Sequence, residues 1–412
     1  MAEAKTKSNK KFWFWLSVCV NLGFLGIFKY YNFFISSFAD SISLFGFKPD
    51  FWTLQVILPV GISFYTFHGL SYVVDIYKDR IKPEKDFIVY SVFVSFFPLL
   101  VAGPIERATH LLPQIKVKRK FNYHLAVDGL RQMLWGFFKK MVIADNCAVY
   151  VNDIFHNSST YSGSTLALGV ILFTFQIYCD FSGYSDIAIG TGKLFDIQLM
   201  RNFAFPYFSR DIAEFWRRWH ISLSSWFRDY VYIPLGGSKG SVMMKIRNIF
   251  VIFLLSGLWH GANWTFVFWG FLNAVYFLPL LLTNKNRSHL DTIAQNKLFP
   301  SLREFKDLII TFFLAAFAWI FFRSDSLSQA FSICKKIFST SLIAKLNVKG
   351  SSTVFILIII LIIAEWIQRD KQHALQFDNL KSPYLRYAAY FLVAFSIIFL
   401  EGKQLGFIYF QF

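Results

Sequence analysis

Long apolar runs, separated by short charged stretches, dominate the sequence and limit the folds open to it. The composition is accordingly 55% hydrophobic and only 16% charged, whereas a typical soluble domain has about 25% charged residues. A run of about 20 apolar residues spans a bilayer as a helix, and lipid offers no other partner for the backbone. Because the runs are continuous, they are unlike the short alternating segments of a β-barrel. The sequence predicts an all-α polytopic membrane protein.

The apolar segments predict roughly 8–11 transmembrane or re-entrant helices in a single domain over residues 1–412. Pro59 and Gly61 break the second segment, the polar stretch CDFSGYSD interrupts the fifth, and the sixth has room for a span and a bend. The segments cover residues 12–28, 51–77, 87–101, 126–151, 164–195, 249–282, 309–322, 354–367 and 387–400.

The net charge of +17 fits basic loops that face anionic lipid headgroups better than a nucleic-acid surface. We therefore expect membrane lipid, and no nucleic acid, among the partners. The basic loops 78–85 and 107–120 flank the short segment 87–101. If that segment is re-entrant, both loops lie on the cytoplasmic side. The four cysteines are scattered and show no CxxC spacing, so we predict neither a metal site nor a disulfide framework.

The first polar island is QIYCDFSGYSD, residues 176–186, which brings Asp180 and Asp186 into an apolar run. A charge near the middle of a bilayer costs about 3 kcal/mol or more unless it is paired or hydrated. Both carboxylates are therefore expected to face the protein interior. Asp180 either pairs with an arginine in a structural role or supports a reaction.

The second island, residues 210–237, carries two stripes at helical spacing on what the pattern predicts to be one continuous helix. It is compatible with a helix lying at the membrane interface. A histidine among arginines and a serine fits the wall of a cavity for anionic or hydroxylated ligands better. The apolar stripe is Ile212, Trp216, Trp219, Leu223, Trp226 and Tyr230, and the polar stripe is Arg217, His220, Ser224 and Arg228.

The third island, SGLWHGANWTFVFWG, places His260 in the middle of residues 256–270. Gly257 and Gly261 form a pair that permits close approach of a neighbouring helix. Helical spacing puts Gly257, His260 and Asn263 on one side. Either His260 hydrogen-bonds across helices or it is functional, and ionisable residues in spans favour function. The tryptophans expected to wall this region are Trp259, Trp264 and Trp269.

These residues suit the transfer of an acyl group to a hydroxyl. A buried, neutral imidazole can accept a proton near neutral pH, so His260 is the candidate base. His220 is the candidate to orient the acceptor, share the proton or stabilise the oxyanion. An acyl thioester made in the cytoplasm carries phosphates, which Arg217, Arg218 and the basic run 116–120 are suited to bind. The islands contain no GxSxG, HExxH or CxxC pattern.

The run FWRRWHISLSSWFRDYVYIPLGG, followed by GLWHGANWTFVFWG, resembles the membrane-bound O-acyltransferase (MBOAT) family. The likeness is strongest to its bacterial branch of alginate and polysaccharide O-acetyltransferase membrane subunits. QIYCDFSGYSDIAIG, NFAFPYFSRDIAEFW, LPVGISFYTFHGLSYVVDIY and FFPLLVAGPIER resemble the same branch. The similarity runs from about residue 21 to residue 269, and more loosely to the end.

The resemblance implies a ring of helices around a thin core in the bacterial inner membrane. It implies transfer of acetyl from acetyl-CoA or another acyl thioester, with no bound cofactor, to an extracytoplasmic polysaccharide, directly or through an SGNH-type partner. The near-invariant histidine of the family falls on His260 and its second histidine on His220. Relatives often carry a third histidine after the last motif, where this chain has FLNA, and they usually begin with one or two further helices.

Two alternatives remain open at this stage. Within the family, D-alanyl transfer to teichoic acid uses a similar WRRWH motif. A different class is a proton-coupled membrane transporter, in which the two histidines and Asp180 form a relay. Paired broken helices in both halves would mark such a transporter, and the sequence shows no internal repeat.

Overall fold

The computed structural model describes residues 1, 6–47, 53–54, 59, 61–348, 351–377, 380–404 and 406–408. Within these ranges the chain forms α-helices and short 3₁₀ or π turns, and no β-strand. It divides into two compact units, residues 1–120 and 121–412, which are described separately. The all-α prediction is confirmed, while the single domain and the ring remain predictions.

The first unit begins with a long helical run. Thr6 starts it by accepting a hydrogen bond from the backbone N–H of Asn9 (3.2 Å), and the π turn Gly26–Tyr30 joins its two helices. The run covers Lys7–Ser43 and exceeds the predicted segment 12–28, because the lysines before Phe12 are helical. The α-helices of this unit are α1 (Lys7–Leu25), α2 (Tyr31–Ser43), α3 (Ile62–Tyr77), α4 (Phe87–Val94) and α5 (Ala108–Lys116).

Gly61 marks the start of α3, as the predicted break in segment 51–77 requires. Its φ of 76° is left-handed, and a Cβ there would lie 2.2 Å from the carbonyl oxygen of Leu100. Residues 51–52, 55–58 and 60 of that segment lie outside the described residues. Segment 87–101 forms α4, of eight residues, and the 3₁₀ turn Phe97–Leu99. At about 1.5 Å per residue, α4 is too short to span a bilayer, and a re-entrant path remains a prediction.

The second unit is organised around α8, in which 89% of an 18-residue apolar stretch is buried inside the protein. Its α-helices are α6 (Tyr123–Phe137), α7 (Asp145–His156), α8 (Gly163–Leu194), α9 (Ile212–Arg218), α10 (Ile221–Phe227), α11 (Val242–His260), α12 (Trp264–Leu282), α13 (Leu302–Arg323), α14 (Leu327–Ile337), α15 (Ser352–Ile367) and α16 (Pro383–Phe399).

The polar stretch CDFSGYSD interrupts the apolar sequence but not the helix, which runs through it for 32 residues. Glycines bring α6 and α8 into backbone contact. A Cβ on Gly136 would lie 2.6 Å from the carbonyl oxygen of Gly183, and one on Gly190 would lie 2.4 Å from that of Gly129. The carboxylates on α8 are paired with lysines, so the helix need not open to water at this point.

The prediction of one continuous helix through the second island is also wrong. The chain breaks between α9 and α10, where Trp219 is extended and His220 has a left-handed φ of 43°. Periodicity cannot detect this break, because α10 resumes with its apolar residues in the same register. Residues of one predicted polar stripe therefore belong to two short helices and the π turn Arg228–Tyr232.

Segment 249–282, predicted as a span and a bend, instead belongs to two candidate spans, the antiparallel pair α11 and α12. The prediction that Asn263 shares a helix side with His260 is wrong. Helix α11 ends at His260, Gly261 is extended, and Asn263 caps α12 by accepting a hydrogen bond from the backbone N–H of Thr265 (3.0 Å).

In the described residues, five helices are long and apolar enough to cross a membrane. They are the run Lys7–Ser43, α8, α11, α12 and α13, and the shorter apolar helices are Phe87–Leu99, α15 and α16. This set matches a polytopic membrane protein, while the count of 8–11 transmembrane or re-entrant helices stays a prediction.

Candidate active site

His260 is the last residue of α11 and is only 4% exposed. Its ring packs against Trp259 (4.9 Å between centroids), Trp269 (5.2 Å) and Phe322 (5.1 Å). Two of the predicted tryptophan walls are therefore in place. Trp264 begins α12 and is 53% exposed.

Close packing of α11 on α12 fixes the position of His260. A Cβ on Gly257 would lie 2.2 Å from the carbonyl oxygen of Phe266, and one on Gly270 would lie 2.3 Å from that of Phe253. The predicted role of Gly257 in close helix approach is thus confirmed. The side of α11 at Gly257, which has no side chain, faces the backbone of α12.

His220 occupies the break between α9 and α10 and is 1% exposed. Its Nδ1 lies 2.9 Å from Oδ1 of Asn202, and its Nε2 has no hydrogen-bond partner among the described residues. The ring of Phe181 lies 4.6 Å away, edge to face. Burial lowers the pKa of the His220 imidazole to about 3, so His220 is neutral at physiological pH.

The two histidines, predicted from separate islands, converge on Trp259. The centroid of its ring lies 5.8 Å from that of His220 and 4.9 Å from that of His260. All three side chains are buried. Two imidazoles thus share one aromatic neighbour in a dry environment, where proton transfer and hydrogen bonding to a bound hydroxyl are strong.

Ser224 and Arg228 of the predicted polar stripe line a cavity of about 320 Å³. Its inner surface is mostly apolar, while Arg228, Lys245 and Arg287 supply positive charge. Its lining also includes Ser256, which lies one helical turn before His260 on α11. His260 and His220 are not among the lining residues, which are Trp216, Leu223, Ser224, Phe227, Arg228, Tyr232, Ser238, Lys245, Ile249, Ile252, Phe253, Ser256, Phe277, Leu281, Asn284, Asn286 and Arg287.

Arg217 and Arg218 bind protein groups rather than facing the histidines. Arg217 donates to the carbonyl oxygens of Asn286 and His289, both at 2.7 Å. Arg218 forms an ion pair with Glu214 (2.8 Å) and donates to the carbonyl oxygen of Ala204 (3.2 Å). Both guanidinium groups therefore hold neighbouring loops in place.

Asp180 and Asn263 also make structural contacts. Asp180 pairs with Lys140 (2.8 Å) and accepts a hydrogen bond from the backbone N–H of Ile408 (2.7 Å). Its partner is a lysine, whereas the sequence suggested an arginine. Asn263 donates to the carbonyl oxygen of Asp325 (3.1 Å).

Sequence reasoning missed two features beside the site. Arg210, 6% exposed, pairs with Glu214 at 3.0 Å, and its signal was the i, i+4 spacing of Arg210, Glu214 and Arg218. Asn202, fully buried against His220, had no local signal beyond its place in the NFAFPYFSRDIAEFW motif.

The model of the MBOAT, membrane-bound O-acyltransferase family, matches residues 78–313, more than half of the chain. The chain belongs to this family. The family and the five apolar helices together make it a multi-pass membrane protein, as predicted. Both histidines lie within the matched MBOAT region.

The relatives of this MBOAT protein include two named for O-acetylation. It is 38% identical to the probable alginate O-acetylase AlgI of Pseudomonas aeruginosa, over 82% of this chain and 62% of that protein. It is 36% identical to the peptidoglycan O-acetyltransferase of Helicobacter pylori, over 81% of this chain and 66% of that protein. The chain thus spans just under two thirds of the length of both.

A more distant MBOAT relative is the teichoic acid D-alanyltransferase of Bacillus subtilis. It is 27% identical over 64% of this chain and 68% of that protein. The identity is lower and less of this chain is covered than with the two O-acetylation relatives.

Proposed function

We propose that this protein transfers an acetyl group from a cytoplasmic acyl thioester, acetyl-CoA in the simplest case, to a hydroxyl of an extracytoplasmic polysaccharide. His260 is the catalytic base. The observation that carries the proposal is the convergence of two buried histidines, His260 and His220, on Trp259. Membership of an O-acyltransferase family supplies the reaction class.

In the proposed reaction His260 accepts the proton of the acceptor hydroxyl while the hydroxyl oxygen attacks the acyl carbonyl carbon. A C–O bond forms, and the C–S bond of the tetrahedral intermediate then breaks. The imidazolium of His260 returns the proton to the departing thiolate, so the products are an acetyl ester and a free thiol. His220 orients the hydroxyl or stabilises the oxyanion.

The cavity beside Ser224 and Arg228 is the proposed donor site. Its apolar interior suits the arm of a thioester, and the charges of Arg228, Lys245 and Arg287 suit phosphates. Ser256 lies four residues before His260, or about 6 Å along a helix axis. Trp216 lines the cavity and contacts Trp269 (5.6 Å), which contacts His260. We therefore expect the Trp216 ring to move when the donor reaches His260.

In this proposal, four of the predicted site residues stabilise the fold around the site and do not contact the substrates. Arg217 and Arg218 hold loops beside α9, Asp180 neutralises Lys140, and Asn263 caps α12. Their substitution is therefore expected to act through stability and geometry rather than through a lost contact with donor or acceptor.

The polysaccharide acceptor is inferred from the relatives named for alginate and peptidoglycan O-acetylation. An acceptor outside the cytoplasm and a donor inside require a membrane location, which we assign to the bacterial inner membrane. The acetyl group passes to the polymer directly or through an SGNH-type partner. D-alanyl transfer to teichoic acid is the second candidate within the family, favoured only by the more distant relative. Family membership favours acyl transfer over the transporter alternative.

The deciding experiment compares the full-length protein with His260→Ala in cells that produce the native polysaccharide. We expect His260→Ala to abolish acetyl esters on the polymer, measured by mass spectrometry, at an unchanged amount of protein in the membrane. The control is His124→Ala, because His124 is exposed at the start of α6. Normal acetylation with His260→Ala would refute the assignment, and D-alanyl esters in place of acetyl would favour the second candidate.

A further inference from the structure

We propose that Asn202 is a positioning residue for His220: its side-chain oxygen holds the Nδ1–H tautomer, so that Nε2 presents a lone pair to a second hydroxyl of the acceptor, next to the one that reacts. This inference rests on the proposed function, and it selects one of the roles that the proposed function leaves to His220. Asn202 lies in the segment before α9, outside the motifs that contain the two histidines.

The backbone of segment 202–204 is hydrogen-bonded to the chain on both sides of His220. The N–H of Ile221 donates to the carbonyl oxygen of Asn202 (2.8 Å), and the N–H of Ala204 donates to the carbonyl oxygen of Arg218 (2.9 Å). These bonds enclose the left-handed His220, whose φ of 43° is strained for a residue with a side chain. Segment 202–204 therefore stabilises the break that turns His220 inward.

The side-chain amide of Asn202 is surrounded by three polar groups. Its Oδ1 lies 2.9 Å from Nδ1 of His220 and 2.9 Å from Oγ of Ser222, and its Nδ2 donates to Oγ of Ser185 (3.0 Å). All four residues are at most 2% exposed. In this arrangement Oδ1 accepts two hydrogen bonds, one from the Ser222 hydroxyl and one from the imidazole Nδ1–H.

The position of the proton follows from the acceptor. A neutral imidazole carries one N–H, so donation from Nδ1 leaves the lone pair on Nε2. That atom is buried and has no hydrogen-bond partner among the described residues. A buried acceptor without a partner is unfavourable until a donor arrives. A neighbouring hydroxyl of the polysaccharide acceptor is such a donor, so His220 holds the acceptor by that group while His260 removes the proton of the reacting hydroxyl.

The opposite orientation of the amide makes a different prediction. If Nδ2 of Asn202 faced His220, Nδ1 would carry the lone pair and Nε2 would carry the hydrogen, suited to an oxyanion. Aspartate separates the two cases, because its carboxylate only accepts hydrogen bonds. Asn202→Asp keeps the proposed tautomer, whereas Asn202→Leu keeps the approximate volume and fixes neither tautomer.

The test uses membrane vesicles that contain the full-length protein, radiolabelled acetyl-CoA as donor and deacetylated host polysaccharide as acceptor. We expect Asn202→Leu to lower kcat about 10- to 100-fold, as loss of a supporting hydrogen bond does at other catalytic sites, with little change in the KM for acetyl-CoA. Asn202→Asp restores most of kcat and moves the acidic limb of the pH–rate profile upward, since a carboxylate favours the imidazolium.

A double substitution separates positioning from general damage. If Asn202 acts through His220, then His220→Ala and His220→Ala/Asn202→Leu have equal kcat. Ser185→Ala is the matched control, because it removes a hydrogen bond of the same amide without touching His220, and we expect a smaller loss. Size-exclusion profiles in detergent report folding, and if Asn202→Leu fails to fold, the pH profile of Asn202→Asp decides.

Several results would overturn the inference. They are an unchanged kcat for Asn202→Leu, losses that multiply in the double variant, or an Asn202→Asp variant as inactive as Asn202→Leu or with an unmoved pH profile. A normal Asn202→Leu beside an inactive His260→Ala would refute the inference alone. A fully active His260→Ala would refute the proposed function as well.

Discussion

Two regions of the second unit place ionisable side chains in the protein interior. One is the contact of α8 with the helical run from α6 to α7, where the neighbours are opposite charges. The other surrounds His260, where the neighbours are aromatic rings. At the first, Lys139 pairs with Asp186 (2.6 Å) and Lys140 with Asp180 (2.8 Å). At the second, His260 packs against three aromatic rings. A buried charge that is matched by an opposite charge contributes to the fold. An imidazole among aromatic rings keeps a nitrogen suited to proton transfer. The two regions therefore differ in the groups that contact the ionisable side chains.

The largest effect expected from this comparison is on catalysis. Loss of a general base typically lowers a rate by about 10²- to 10⁴-fold, so His260→Ala should lower acetyl transfer by about 1000-fold. Its unfolding temperature in detergent should fall only as far as the lost packing of one ring requires. Transfer is measured with radiolabelled acetyl-CoA, and unfolding by tryptophan fluorescence. A variant that unfolds early but keeps its specific activity would reverse the roles of the two regions.

The second prediction concerns the ion pairs between α8 and the π turn Phe138–Ala144, which joins α6 to α7. Lys139→Met leaves the carboxylate of Asp186, whose side chain is 13% exposed, without its cation, which costs up to about 3–5 kcal/mol. The double variant Lys139→Met/Asp186→Leu should recover most of that loss, because apolar pairs replace buried ion pairs well. The free energy of unfolding is followed in mixed detergent micelles. The folded fraction of either variant should keep its activity.

A surface pair provides the control for this prediction. Lys116 pairs with Glu84 at 2.8 Å, with the lysine side chain 54% exposed. Lys116→Met should cost less than about 1 kcal/mol. Equal losses for Lys116→Met and Lys139→Met would show that burial does not strengthen the interior pair.

The third prediction tests how the backbone contact of α11 and α12 holds the aromatic site together. Gly257→Ala puts a Cβ 2.2 Å from the carbonyl oxygen of Phe266, so the helices must separate. Overpacking of this kind costs about 1–3 kcal/mol, and the displaced His260 should lower acetyl transfer too. The control is Gly23→Ala on α1, where a Cβ meets nothing within 4 Å. Stability and activity unchanged by Gly257→Ala would mean that the close contact does not position His260.

The sequence predicted the parts of this arrangement that depend on local composition. Apolar runs indicated the helices, and glycines beside His260 indicated close packing with α12. The aromatic neighbours Trp259 and Trp269 were visible because they lie within ten residues of His260. A short-range pattern of this kind needs no knowledge of the tertiary fold.

The rest depended on contacts distant in sequence. The break at His220 is stabilised by backbone bonds to Asn202 and Ala204, which no periodicity records. The partners of Asp186 and Asp180 are Lys139 and Lys140, which come from a distant part of the sequence, so the sequence alone did not identify them. Asn263 caps α12 and does not share a side of α11 with His260, because α11 ends at His260 and the chain turns before α12 begins.

The smallest effect on stability is expected for an ionisable pair that is only partly buried and is not surrounded by aromatic rings. In the first unit, Nδ1 of His110 lies 2.7 Å from Oε2 of the buried Glu106, with the histidine side chain 43% exposed. The hydrogen bond that His110 donates to the Glu106 carboxylate raises the pKa of His110 above its ordinary value of 6.5. Because the folded state holds this proton more tightly, the stabilisation is fully present below about pH 6.5. It is lost as the pH rises through the folded pKa.

His110→Gln should therefore destabilise the protein at pH 6 by less than about 1 kcal/mol, given the exposure of the pair. The difference in stability between the variant and the unmodified protein should shrink towards pH 9, where the histidine is neutral like the glutamine that replaces it. Thermal unfolding in detergent at three pH values measures this, with His124→Gln as the control because His124 is exposed. A difference that grows with pH would mean that His110 stabilises the fold as the neutral imidazole. The rule drawn from the two buried regions, that the partner determines the role of an ionisable group, would then fail for a half-exposed pair.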